Sequence, residues 1–223
     1  MQCIIFDLDG TLVDTAPDLL AVADEMLREL HAPPVPRSTG RLAAGQGARA
    51  MLTLGLKAGR VPLPSEADWV PLIEEFIRRY EARMTRLSRP FDGIEELLET
   101  LAGQGLRLAV CTNKREALAR RLLEELGLAE HFRAIVGGDS LPQRKPHPAP
   151  VRQAAERAGG EAARAIVLGD SRQDMQAARA AGALPVLAAW GYVEEPLAAY
   201  GAAHVCEQPA ALESILREAR ASG

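Results

Sequence analysis

Asp7 and Asp9 stand two positions apart in the segment Asp7-Leu8-Asp9-Gly10-Thr11, at the end of a short apolar run. If the chain stays extended, both carboxylates leave the backbone on the same side. Gly10 permits a tight turn, and the Thr11 hydroxyl can hold it. Carboxylates at close range repel unless a cation or a proton comes between them. Three uses are therefore open: a metal site, a general acid/base pair, or a nucleophile beside a proton donor. An ordinary Asx turn after a strand would carry the same letters.

Three later segments also offer chemistry. Thr112-Asn113 could present a hydroxyl and backbone N–H groups to an anion, or could simply cap a helix. Lys145 lies in Arg144-Lys145-Pro146-His147-Pro148, where prolines would stiffen the loop around its ammonium. In Gly169-Asp170-Ser171-Arg172-Gln173-Asp174 the two acids are four residues apart, one helical turn, and so on one face. Asp170 suits a hard cation. Asp174 is either a supporting partner or a favourable charge in a first helical turn.

The elements that must position these residues follow from patterning. Cys3–Phe6, Leu106–Cys111, Ala134–Val136, Ala165–Leu168 and Leu184–Ala188 are short apolar runs closed by turn residues. They read as buried strands of a parallel sheet. The stretches between them have helical spacing, as in Leu118, Leu122, Leu123 and Leu126 followed by Gly127. Alternating strands and helices predict an α/β fold with a doubly wound, Rossmann-like parallel sheet, whose ligands sit beyond the carboxyl ends of the strands. Asp7, Thr112 and Asp170 all fall at such ends.

The interval between the first two strands is too long for one crossover helix. It predicts an inserted small helical domain over 16–86, with the α/β core formed by 1–15 and 87–223. Thr15-Ala16-Pro17-Asp18 reads as a capping box opening its first helix. A second helical stretch, Arg41–Leu54, breaks at Gly45-Gln46-Gly47. In a third, Trp69–Met84, Val70, Ile73, Phe76, Ile77 and Tyr80 are expected on one side, and the arginines at 78, 79, 83, 86 and 89 on a solvated face.

Composition bounds the partners. With 223 residues, 48% of them hydrophobic, the chain can bury a sizeable core and is not disordered. A net charge of −4 gives no electrostatic reason to expect nucleic acid or an anionic membrane. No apolar segment approaches the ~20 residues that span a bilayer, and Met1–Phe6 lacks the basic leader of a signal peptide. Three scattered cysteines (Cys3, Cys111, Cys206) fit buried thiols in a reducing cytoplasm. Monomer and homodimer are both open.

The order of an acid pair, a hydroxyl, a fixed cation and a further acid, each after an apolar strand, resembles the four motifs of the haloacid dehalogenase-like hydrolase superfamily. The helical insertion resembles that superfamily's type-1 cap. The resemblance implies Asp7 as nucleophile, forming an aspartyl-phosphate, and Asp9 as the acid and then base. It implies Mg²⁺ held by the Asp7 and Asp170 carboxylates and the Asp9 carbonyl, with Thr112 and Lys145 on the phosphoryl group. Thr11, Ser171 and Asp174 would support this inner set. Asp9 favours phosphoester chemistry over halide release. Lys57, the one lysine of the insertion, is a poor Schiff-base candidate, which disfavours a phosphonate hydrolase.

Asp14–Leu19, Gly45-Gln46-Gly47-Ala48-Arg49-Ala50-Met51-Leu52, Thr112-Asn113-Lys114 and Gly169–Arg172 further resemble the phosphoglycolate phosphatase family. Trp190-Gly191-Tyr192 also resembles N-acetylmuramic acid 6-phosphate phosphatases, the alternative together with other sugar or nucleotide phosphatases. A non-catalytic phosphate-binding protein is the remote alternative. Under the first reading a small phosphorylated metabolite is the substrate. Asn113, Gly45, Gln46, Gly47 and Arg49 join Thr112 and Lys145 as candidate contacts to it, with Arg49 on a substrate carboxylate.

Overall fold

A computed structural model describes residues 1–194 and 196–221. Strand β1 (Cys3–Phe6) and the two-residue β2 (Val13–Asp14) precede four helices. These are α1 (Ala16–Glu29), α2 (Arg37–Gly45), α3 (Ala48–Ala58) and α4 (Glu66–Glu81). After β3 (Arg89–Pro90) come α5 (Ile94–Gly103), β4 (Arg107–Cys111), α6 (Glu116–Glu125) and β5 (Ala134–Val136). The chain continues through α7 (Ala149–Arg157), β6 (Ala165–Gly169), α8 (Arg172–Ala181) and β7 (Leu184–Ala188). It ends with β8 (His204–Cys206) and α9 (Leu212–Ala221). Contacts divide the chain into an α/β unit, Met1–Val13 with Pro90–Gly223, and a helical unit, Asp14–Arg89.

In the α/β unit six strands lie in the order β5-β4-β1-β6-β7-β8, and the paired strands run parallel. β1 is central: Cys3 pairs with Arg107 on one side and with Ala165 on the other. All four of its residues are fully buried, as a strand covered on both faces requires. Cys3 and Ile5 face a core rich in small residues, including Ala154, Ala155 and Ala158 near α7 and Ala177, Ala178 and Ala181 of α8. Ile4 and Phe6 alternate to the other face, where Phe6 meets Phe132 edge-on. β8 is not expected from sequence, because three residues with an exposed Val205 carry almost no strand signal; α9 follows it and buries Leu212, Ile215 and Leu216.

In the helical unit α1 buries Leu19, Leu20, Val22, Ala23, Met26 and Leu27 along one stripe. The expected capping box at its start is absent: Thr15 makes no side-chain cap bond. Asp18 is instead buried and accepts from the Leu87 and Ser88 N–H groups, at 2.9 and 2.8 Å, and from the Ser88 hydroxyl at 2.8 Å. Burial decides this, because a carboxylate removed from water needs several donors. The apolar face of α4 also differs from expectation. Trp69, Phe76 and Tyr80 are buried, whereas Val70 is 64% exposed. Arg79, expected on a solvated face, is only 17% exposed and joins Glu75 of α4 to Glu25 and Glu29 of α1.

Asp18→Ala would leave the buried Ser88 N–H and hydroxyl, and the part-buried Leu87 N–H, without their acceptor, at a cost of about 2–4 kcal/mol. The expected result is a lower midpoint for the helical unit in urea denaturation followed by proteolysis within 14–89. An unchanged midpoint would mean the carboxylate is not needed there.

Candidate active site

The site is built at the carboxyl ends of β4, β1 and β6, which are neighbours in the sheet. One hydrogen bond beyond each regular ladder sets its frame. Asp7 N–H donates to Leu168 O at 2.9 Å, and Thr112 N–H donates to Val136 O at 2.9 Å. Asp7 thereby leaves β1 beside the end of β6, where Asp170 follows.

Lys145 is the hub. Its residue is 5% exposed, and its ammonium lies 2.8 Å from Asp7 Oδ1, 2.5 Å from Asp174 Oδ1 and 2.7 Å from the Cys111 carbonyl. Burial alone would lower the lysine's pKa, but Asp174 and then Asp7 outweigh it and hold the group firmly cationic. Asn113 fixes the loop from behind. Its Nδ2 donates to the Lys145 carbonyl at 3.1 Å and its Oδ1 accepts from the Lys145 N–H at 3.1 Å. Nδ2 also donates to Gln173 Oε1 at 2.7 Å. The amide of Asn113 is therefore committed to Lys145, and any contact it makes to an anion would use its backbone N–H.

Thr112 does not cap α6, whose N-cap is Arg115. Its hydroxyl oxygen accepts from Lys114 N–H at 3.1 Å, which leaves the hydroxyl proton available to a ligand. Asp174 belongs to a capping box with Ser171: Ser171 Oγ accepts from Asp174 N–H, while Asp174 Oδ2 accepts from Ser171 N–H at 3.0 Å and from its hydroxyl at 2.5 Å. Lys145 takes its other oxygen. Asp174 thus orients Lys145 and opens α8 with the same carboxylate.

Asp7, Asp170 and Asp174 each offer an oxygen within 4.8 Å of the others. Burial first, and then Asp174, push the Asp7 carboxyl well above the usual carboxylate range, and Lys145 only partly offsets them. Burial first, then Asp7 and Asp174, raise Asp170 likewise. Such crowding calls for a cation, and the donors are hard oxygens suited to a divalent ion. With Asp174 committed to Ser171 and Lys145, Asp7 and Asp170 are the carboxylates that would hold it. Asp9 is not in this cluster; its carboxylate pairs with Lys114 at 2.8 Å.

Asp170 is held on every side. Thr11 Oγ donates to its Oδ1 at 2.9 Å and Tyr192 N–H to its Oδ2 at 2.8 Å. Trp190 Nε1 donates to the Thr11 carbonyl at 3.0 Å. Two glycines make the fit possible. A Cβ on Gly10, whose φ is +86°, would fall 2.3 Å from Asp170 Oδ2. One on Gly191 would fall 2.3 Å from the Gly10 carbonyl and 2.4 Å from Asp170 Cβ.

The family model described as haloacid dehalogenase-like hydrolase matches residues 4–188, which run from β1 through β7. This chain belongs to that family. As a hydrolase of this kind it is 44% identical over 200 residues to a phosphoglycolate phosphatase of Caulobacter vibrioides, covering 89% of this chain and 84% of that protein. It is 42% identical over 214 residues to a phosphoglycolate phosphatase of Agrobacterium fabrum, covering 96% and 91%. Among solved structures, one described as a predicted phosphoglycolate phosphatase from Haemophilus somnus 129PT superposes with a TM-score of 0.86 at 28% identity, covering 97% of this chain and 98% of that one.

The hydrolase's sequence-predicted residues divide between its two units. Asp7, Asp9, Thr11, Thr112, Asn113, Lys145, Asp170, Ser171 and Asp174 lie in the α/β unit. Gly45, Gln46, Gly47 and Arg49 lie in the helical unit, at the junction of α2 and α3. Arg49 is already engaged: its guanidinium bonds both Glu66 oxygens, at 3.0 and 2.5 Å, and lies over the Trp69 ring at 4.9 Å. Lys114 and Trp190-Gly191-Tyr192 carry part of the family resemblance in sequence, but their roles depend on distant partners: Lys114 meets Asp9, Trp190 the Thr11 carbonyl and Tyr192 N–H Asp170.

Thr11→Val, which removes the donor to Asp170 Oδ1, is expected to raise the Mg²⁺ dissociation constant about 10- to 100-fold by calorimetry. An unaltered constant would show that Thr11 does not orient Asp170. A second expectation concerns pH. The folded protein keeps protons on Asp7 and Asp170 that the unfolded chain releases above about pH 4. Without a divalent ion, stability from these groups therefore falls as pH rises from that point through neutrality. Thermal melts should accordingly give a larger Mg²⁺-induced increase in Tm at pH 8 than at pH 5. Equal increases would contradict the assignment.

Proposed function

We propose that this hydrolase is a Mg²⁺-dependent phosphomonoesterase that works through an aspartyl-phosphate and acts on 2-phosphoglycolate. The observation that carries the reading is the Lys145 ammonium 2.8 Å from Asp7 and 2.5 Å from Asp174, with Asp170 in the same acid cluster. A buried cation beside a crowded carboxylate suits a nucleophile that must receive an anionic phosphoryl group.

An Asp7 oxygen bonds to phosphorus as the phosphorus–oxygen ester bond breaks, and the alcohol oxygen leaves with the electron pair and takes a proton from Asp9. Water then attacks the same phosphorus and gives a proton to Asp9. The bond to Asp7 breaks, its carboxylate is restored, and inorganic phosphate departs. Thr112 and Lys145 donate to the phosphoryl oxygens throughout, since catalysis of this transfer rests on position and charge. The Asp7 and Asp170 carboxylates and the Asp9 carbonyl would hold Mg²⁺, which would supply positive charge to the phosphoryl group. Thr11, Ser171 and Asp174 position these groups.

The substrate reading is supported by relatives at 41–44% identity, each named phosphoglycolate phosphatase. In the helical unit Gly45, Gln46, Gly47 and Arg49 remain the candidate substrate contacts. The fork of Arg49 grips a carboxylate, that of Glu66, in the two-point manner a substrate carboxylate would use. The three cysteines are free and buried, and among the described residues no helix is long and apolar enough to cross a membrane. The buried free thiols fit an enzyme of small metabolites in a reducing cytoplasm.

The test is kcat/KM across 2-phosphoglycolate, N-acetylmuramic acid 6-phosphate, glucose 6-phosphate and AMP. The highest value is expected for 2-phosphoglycolate, with activity abolished by EDTA and by Asp7→Asn. A preference for AMP, or activity that survives Asp7→Asn, would overturn the reading.

A further inference from the structure

We infer that Lys114 determines specificity by binding an anionic group on the carbon next to the leaving oxygen of the substrate. The inference rests on the phosphatase reading above and concerns a residue to which that reading gives no role.

The argument begins with charge. A site holding Asp7, Asp170 and Asp174 within 4.8 Å of one another must also take in a phosphoryl dianion. A substrate with a further carboxylate adds another negative charge, which needs its own cation. Lys145 is matched already, because its ammonium lies against the Asp7 and Asp174 carboxylates and the Cys111 carbonyl, and the phosphoryl group is the further anion it serves. Lys114 is the next lysine at this end of the sheet. Its side chain is only 8% exposed, and its ammonium lies 2.8 Å from Asp9 Oδ1.

Distance then selects the kind of anion. An oxygen that Asp9 protonates lies about 3 Å from its carboxyl. That oxygen is therefore within roughly 6 Å of the Lys114 ammonium if it meets Asp9 Oδ1, and within about 8 Å if it meets the other carboxylate oxygen, since Asp9 itself bridges the gap. In 2-phosphoglycolate a single methylene separates the ester oxygen from the carboxylate, so the carboxylate comes within reach. In N-acetylmuramic acid 6-phosphate the carboxylate is on the lactyl group, several bonds across the sugar from the ester, so its place is not tied to that of the leaving oxygen.

Local structure fixes Lys114 for this task. Its N–H donates to Thr112 Oγ at 3.1 Å, so its backbone is tied to the residue that serves the phosphoryl group. One ammonium can donate to Asp9 and to a substrate carboxylate at once, and would thereby orient acid and leaving group together.

The experiment compares 2-phosphoglycolate with ethyl phosphate, which has a methyl group in place of the carboxylate, in wild type, Lys114→Met and Lys114→Arg. The quantity read is the ratio of kcat/KM for the two substrates within one preparation, which is independent of the fraction folded. Wild type is expected to favour 2-phosphoglycolate. Lys114→Met should lower that ratio about 10- to 100-fold, the range for losing a charge-assisted hydrogen bond, mainly through KM. Lys114→Arg should restore part of it. If Lys114→Met lowers kcat/KM for both substrates by the same factor, Lys114 acts on Asp9 alone; the inference is then overturned while the phosphatase reading stands. A wild type that cleaves ethyl phosphate as well as 2-phosphoglycolate overturns both the substrate assignment and this role.

Discussion

A lysine ammonium buried among carboxylates is the constraint around which the α/β unit is organised. Lys145 meets Asp7 from the end of β1, Asp174 from the first turn of α8 and the Cys111 carbonyl from the end of β4. Each of these bonds joins a different segment of chain, and none can be dropped without leaving a buried charge short of a partner. The sheet order follows the same demand. β4, β1 and β6 must be neighbours for these groups to converge, and they are.

Around that hub, support comes in layers that reuse the same atoms. Asp174 caps α8 and orients Lys145. Asn113 clasps the Lys145 backbone from both sides. Asp170 is packed between two glycines with no room for a side chain. Rigidity of this kind suits a reaction that depends on aligning one phosphorus atom with one carboxylate. The helical unit is organised differently, by a buried Asp18 and by an arginine–glutamate network that is partly buried at Arg79 and Arg83 and exposed at Arg78 and Glu29.

Much of this was legible in sequence, and for a local reason. Strand ends announce themselves where a short apolar run meets a polar residue, so Asp7, Thr112 and Asp170 could be assigned to one rim of one sheet. What sequence does not reveal are roles that depend on partners far away in the chain. Lys114 pairs with an acid 105 positions earlier, Trp190 reaches back 179 positions, and Asp18 is claimed by Ser88 across 70. Thr15–Asp18 carries the letters of a capping box, but burial commits Asp18 to the Leu87 and Ser88 N–H groups instead. β8 was invisible because so short a strand takes its stability from β7 beside it.

The central place of β1 also sets an order of assembly. Its two neighbours are supplied by segments that begin at Arg107 and Ala165, so the strand that leads to Asp7 is synthesised first and waits for more than 150 residues before its second edge is paired. Until β6 has left the ribosome, four wholly apolar residues have an unmade edge and lie open to other chains. The helical unit, one unbroken stretch from Asp14 to Arg89, closes its own contacts meanwhile. Nascent-chain vulnerability is thus greatest between the translation of β1 and that of β6, and the centrality that serves the finished molecule is its main hazard while it is being made.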